Sequence, residues 1–295
     1  MRLLTLPALC ITVLFSISVM AQKNEFHILP SSTEKSMDDI HGPHLVYTPE
    51  KTIKRNKLII ALPGTGSRAD ALKAFDSVAM REGFHVIGLD YNNAIVTTAC
   101  RASLDSMCFD SFRQEISFGT PVSDTVRVDS TNSIYNRIYQ LLRYLTVQQS
   151  KDGWENYFKN NQIIWSNIIL AGHSQGAGHA AYFGKHFLLN KVIILAGPQD
   201  YLDQFKRPAP WINLPSKTPV ERYIALLHSN DPFSFERQFA SCLKLSNTQA
   251  KDSLNTESRL IPKRNILVTH LENKDPHGSV TKLSYSDTWK YMFDR

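Results

Sequence analysis

Gly172-His173-Ser174-Gln175-Gly176 places one hydroxyl between two glycines, and its surroundings decide what that hydroxyl can do. The preceding Asn167-Ile168-Ile169-Leu170-Ala171 is short, apolar and β-branched, the pattern of a buried strand. The following Ala177-Gly178-His179-Ala180-Ala181 is small enough to open a helix packed closely on a sheet. Strand, G-x-S-x-G turn and helix together lift the Ser174 Oγ above the sheet, within reach of a base and a substrate. A serine hydroxyl is a weak nucleophile until a base removes its proton as it attacks. Such chemistry needs a histidine, a carboxylate to fix its tautomer, and donors aimed at a developing oxyanion. One donor is the backbone N–H of Gln175, immediately after the serine. The bare five-residue pattern also fits a glycine-rich turn without chemistry; the flanking strand and helix separate the two readings.

The partners must be supplied by other strand ends. Buried-strand patterns occur at His44–Tyr47, Lys57–Leu62, His85–Tyr91, Lys191–Ala196, Arg222–Leu227 and Asn265–His270. Helical spacing runs from about Ser67 or Asp70 to Arg81, from Thr131 to Val147, from the elbow to about Leu189, and from about Ser286 to the end. This alternation predicts a mostly parallel central sheet with helices on both faces. Residues 22–43 read as a loose polar segment. Two stretches break the rhythm. Residues 92–129 carry Cys100 and Cys108 with no clear period, and 197–220 carry five prolines with Tyr201, Phe205 and Trp211. These excursions are expected to wall a pocket, with Trp211 and Tyr201 as candidate substrate-facing aromatics or, equally, as cover for the core. With no repeat or linker, residues 22–295 form one domain.

Residues 1–21 do not belong to that domain. A short basic start, the apolar stretch Leu3–Val19 and the small residues of Val19-Met20-Ala21 form a signal peptide, so the mature chain is expected to be secreted or periplasmic. No second long apolar run follows, and no stable membrane insertion is expected after cleavage. In an oxidising compartment Cys100 and Cys108 would close a short loop, leaving Cys242 unpaired. The net charge of +6 is scattered, without the basic stripe and interleaved aromatics of a nucleic-acid binder. No histidine or second cysteine sits at zinc-like spacing from these cysteines, so neither metal nor cofactor is expected.

The layout resembles an α/β-hydrolase over most of the chain, from Lys57 to the terminal helix. In that family the serine is followed by an acid after a later strand and a histidine after the last strand. The matching positions are Ser174, Asp231 in Ser229-Asn230-Asp231-Pro232, and His277 in Lys274-Asp275-Pro276-His277-Gly278. Asp200, after the preceding strand, is the other place where members of the family carry the acid. Asp275 is a weaker orienting partner, His270 ends the strand too early to reach the elbow, and His173 suits packing or orientation beside it. The resemblance implies a second oxyanion donor from Gly64-Thr65-Gly66, at Thr65, although Pro63 replaces the usual histidine. Within the family the likeness is to exported bacterial hydrolases with an LPGTG-like segment, here Leu62 to Gly66. It implies a serine hydrolase that cleaves a small-molecule or polymeric carboxylic ester through an acyl-enzyme. A peptidase or acyltransferase using the same triad, and a binding protein that kept only the fold, are the alternatives.

Overall fold

The apolar runs of the sequence lie side by side in one nine-stranded sheet. The structure is a computed structural model that describes residues 24–49, 54–257 and 264–295. The expected signal peptide, residues 1–21, lies outside the described residues. The strands are β1 (Glu25–Ile28), β2 (His44–Tyr47), β3 (Leu58–Leu62), β4 (His85–Gly88), β5 (Ile168–His173), β6 (Lys191–Leu195), β7 (Tyr223–His228), β8 (Leu254–Asn255) and β9 (Ile266–Thr269). Their spatial order is β1-β2-β4-β3-β5-β6-β7-β9-β8. Only β2 runs antiparallel to its neighbours, pairing with β1 and β4; the rest of the sheet is parallel.

Parallel strands need crossovers, and the crossovers cover both faces. Alternate residues of each strand therefore enter different cores. Ile60, Leu62, Leu170 and Ile194 pack with α2 (Cys108–Phe118), α3 (Ile134–Gln148), α4 (Gln175–His186) and α5 (Phe235–Leu245). On the other face Ile59, Ala61, Ile169 and Ile193 meet Phe75 of α1 (Lys73–Arg81) and Trp289 and Phe293 of α6 (Ser286–Asp294). The Ser133 side chain starts α3 by accepting the Asn136 N–H, satisfying one of the free donors at the helix end.

The structure departs from the periodicities in three places. The segment expected to be loose contains β1, which borders the sheet on β2. The irregular stretch 92–129 contains the 11-residue α2. Its Phe109, Phe112 and Ile116 are spaced as a core stripe, but Arg113 and Glu115 are buried beside them, and these charges hide the period. Glu115 accepts the N–H groups of Val122, Ser123 and Val128, so a buried carboxylate folds the following loop around itself. A disulfide joins Cys100 to Cys108 at the start of this helix. The third departure is α5, whose buried face carries Gln238 and Ser241 among its apolar residues. The proline-rich stretch 197–220 forms only a two-residue hairpin (201–202 with 207–208) and short 3₁₀ turns. Among the described residues no helix is long and apolar enough to cross a membrane.

Candidate active site

Ser174 sits between the end of β5 and the start of α4 with φ 55° and ψ −116°, a backbone conformation that side chains rarely adopt. The turn closes this tightly because Gly176 has no side chain: a Cβ there would lie 2.1 Å from the Leu62 carbonyl oxygen. The Ser174 N–H donates to Leu195 O at 2.9 Å, fastening the turn to the neighbouring strand. Gln175 is the first residue of α4, so its N–H has no acceptor within the helix and is free for an oxygen above it.

Two loops at the same sheet edge bring in a base and an acid. Asp231 follows β7, and His277 lies in a one-turn helix, Pro276–Ser279, beyond β9. Asp275 caps that turn by accepting the Gly278 N–H. The His277 Nδ1 lies 2.7 Å from Asp231 Oδ2. Burial would raise the Asp231 pKa, but the hydrogen bond and charge of His277, with a further donor in the Phe233 N–H at 2.8 Å from Oδ1, hold it below its ordinary value. Asp231 therefore remains a carboxylate, which fixes the Nδ1–H tautomer and leaves Nε2 as a proton acceptor.

Ser174 and His277 line one cavity of about 210 Å³ with Gly64, Thr65, Thr97, Thr98, Val96 and Phe233. Among the described residues they are not hydrogen-bonded to each other. The Ser174 Oγ accepts instead from Gln199 Nε2 at 3.3 Å. Phe233 sets its ring edge-on to His277, with centroids 4.6 Å apart. His173, partly buried, lines the same cavity, and loss of solvation first, then the charge of His277, lower its pKa to about 4. Neutral at Nε2–H, it donates to the His277 carbonyl oxygen at 3.0 Å and steadies that loop.

The loop Gly64-Thr65-Gly66 lies against the nucleophile: a Cβ on Gly64 would lie 3.1 Å from Ser174 Cβ. Thr65 Oγ1 donates to Gln175 Oε1 at 2.6 Å, tying the two expected oxyanion loops together. Two residues absent from the sequence reading hold this loop. Tyr91 OH donates to Pro63 O at 2.7 Å, and Asn93 Nδ2 donates to Gly64 O and Ser67 O at 2.8 and 2.9 Å. The signal available for them was the run of hydrogen-bonding side chains at the end of an apolar strand, Asp90 to Asn93.

Other expected residues lie elsewhere. Asp200 is buried against Arg113, which donates through Nε and Nη2 at 2.8 and 2.6 Å. Trp211 is not substrate-facing: it is fully buried and donates its Nε1–H to Asp200 Oδ2 at 2.9 Å. Tyr201 does not line the Ser174 cavity either. It borders a separate charged groove, where Arg237 sits over its ring. Trp211 packs in the core, the other role expected for it. His270 is exposed at the end of β9. Cys242 is buried as a free thiol. Among the described residues no group of three or more His, Cys, Asp or Glu is placed to hold a metal ion. An oriented imidazole and a hydroxyl on a strained turn, both at one cavity, can together support attack on a carbonyl carbon.

No protein-family model and no curated protein sequence matches the chain. Solved structures do. A bifunctional GH43-CE from Bacteroides eggerthii matches with a TM-score of 0.50 at 11% identity, over 93% of this chain and 35% of that one. A truncated carbohydrate esterase from gut microbiota matches with a TM-score of 0.48 at 12% identity, over 92% and 95% of the two chains. A lidless α/β serine hydrolase from Xanthomonas campestris matches with a TM-score of 0.47 at 11% identity, over 93% and 96%. At 11% identity the Bacteroides eggerthii match speaks to architecture alone. The chain has the α/β-hydrolase fold.

Proposed function

We propose that this chain is an exported serine hydrolase that cleaves a carboxylic ester through an acyl-enzyme. The observation that carries the reading is the 2.7 Å contact of His277 Nδ1 with the Asp231 carboxylate, at a cavity that His277 shares with Ser174. In this reading Ser174 Oγ attacks the acyl carbon as its proton passes to His277 Nε2. The C–O bond to the alcohol then breaks, and His277 returns the proton to the departing oxygen. Water repeats the sequence against the acyl-enzyme and releases the acid and Ser174. The N–H of Gln175 and a donor at Thr65 hold the oxyanion.

The cavity limits the acyl group. At about 210 Å³ it is smaller than the ~300–1,000 Å³ that drug-sized ligands occupy. Short acyl groups fit this space better than long chains. Export is supported by the Leu3–Val19 stretch and by the Cys100–Cys108 disulfide, which belongs to an oxidising compartment.

Incubation with a fluorophosphonate should label wild type once and Ser174→Ala not at all. Equal labelling of both would remove Ser174 from the mechanism. Chromogenic esters of graded acyl length should be turned over fastest at acetyl to butyryl, with amides turned over far more slowly. Mass spectrometry of the exported protein should find Gln22 at its amino terminus.

A further inference from the structure

Ser174 Oγ has one side-chain partner among the described residues, and it is an amide. Gln199 Nε2 lies 3.3 Å from Ser174 Oγ and 3.1 Å from the Ala196 carbonyl oxygen. A backbone carbonyl only accepts, so the Ala196 contact fixes which end of the amide is nitrogen. One N–H goes to Ala196 O, and the second lies on Ser174 Oγ.

The backbone delivers this amide deliberately close. Gln199 is 4% exposed and lines the Ser174 cavity. Ala196 has φ 47°, and the chain then passes so near the elbow that a Cβ on Gly197 would lie 2.8 Å from Ser174 O. From the other side, the Cys242 Sγ lies 3.2 Å from Gly197 O. Gln199 thus stands on a pinned segment, and its donor is set before any substrate arrives.

We propose that Gln199 is a catalytic residue: a hydrogen-bond donor to the nucleophile oxygen itself, additional to the donors for the carbonyl oxygen. The inference rests on Ser174 being the nucleophile. At rest, Oγ accepts from Gln199, which leaves its own proton free to point toward His277. During attack that proton moves to His277 Nε2 as the Oγ–carbon bond forms. In the transition state Oγ carries the partial negative charge of a hydroxyl losing its proton, which the Gln199 N–H stabilises, before its electron pair is committed to carbon and the charge passes to the carbonyl oxygen. During release of the acid, the carbon–Oγ bond breaks, Oγ leaves with its electron pair, and His277 returns the proton. Gln199 lies on the departing oxygen in that step too. Its contribution is thus made while Oγ carries charge, and falls on kcat rather than on KM.

The test compares wild type, Gln199→Met and Gln199→Glu with a short-chain chromogenic ester and with a fluorophosphonate. Gln199→Met keeps much of the volume and removes both donors. It should slow kcat and the labelling rate by about 10- to 100-fold, the range for a hydrogen bond to a charged group, with KM within about twofold. Gln199→Glu nearly keeps the shape, and its carboxylate cannot donate, so at pH 8 it should lose at least as much. If Gln199→Met melts well below wild type, the Glu variant decides. Labelling and kcat at wild-type rates in a folded variant, or a defect confined to KM, would overturn the proposal. Absence of labelling in wild type would overturn the serine-nucleophile reading and this inference with it, whereas normal labelling of wild type and variants overturns Gln199 alone.

Discussion

Asp200 and Asp231 occupy equivalent places, each a few residues beyond the end of a parallel strand, yet they face different partners. Asp200 meets Arg113 in a fully buried, two-pronged ion pair and takes a third hydrogen bond from Trp211. Arg113 also donates through Nη1 to the Gln175 carbonyl oxygen at 2.8 Å, so this carboxylate braces the start of α4 from below. Asp231 meets His277, whose side chain is 12% exposed and reaches the cavity. One carboxylate is used up in holding the elbow; the other holds an imidazole at the Ser174 cavity. What separates an anchoring aspartate from an orienting one is the group across from it, and a strand-end position does not specify that group.

The largest effect should come from Asp231→Asn. An amide cannot hold the Nδ1–H tautomer, and kcat should fall by roughly 10⁴-fold while the melting temperature changes little. A folded, active Asp231→Asn would break the comparison at its catalytic side.

On the other side, Arg113→Met should act on stability. It leaves Asp200 charged and unpaired in the interior, a loss of about 3–5 kcal/mol in chemical denaturation. A change under about 1 kcal/mol would mean that Asp200 needs no cation.

The disulfide sharpens the same contrast, because Cys108 begins the helix that carries Arg113. Replacing Cys100 and Cys108 by serine should lower stability by about 2–3 kcal/mol through chain entropy, with kcat of the folded protein retained. Loss of activity at full stability would place the loop in the site instead.

Acid should act broadly. Burial lowers the pKa of His44 to about 3, and of His85 and His173 to about 4. The unfolded chain takes up these protons near pH 6.5, so the unfolded state binds more protons between about 6.5 and 4. The stability these histidines contribute should be full above that window and fall as pH drops through it, opposed in part by Asp76, Asp90 and Asp110, whose burial raises their pKa values so that the fold binds protons there, with a further loss below about pH 4 as Asp231 protonates. Urea midpoints measured from pH 8 to 4 check this; a profile that is flat or rises toward acid would show that these histidines do not set the acid dependence.

Much of the fold was legible because parallel strands buried on both faces read as continuous apolar runs, such as Leu58–Leu62 and Lys191–Leu195. α2 and α5 were not, because buried Arg113, Glu115, Gln238 and Ser241 interrupt their apolar stripes. At the site, Ser174 was marked by its glycines, and Asp231 and His277 by chain order. The role of Asp200 was illegible because its partner stands 87 residues earlier, in a stretch with no visible period. Gln199 carried no signal either, since an amide beside a serine is a product of loop geometry.

The difference between the two aspartates can be read without activity, from the proton NMR signal of the His277 Nδ1–H. A proton held between imidazole and carboxylate resonates far downfield, and His277→Gln assigns it. The signal should be present in wild type, persist in Asp200→Asn where that variant is folded, and vanish in Asp231→Ala. A signal that survives Asp231→Ala and vanishes in folded Asp200→Asn would contradict the account.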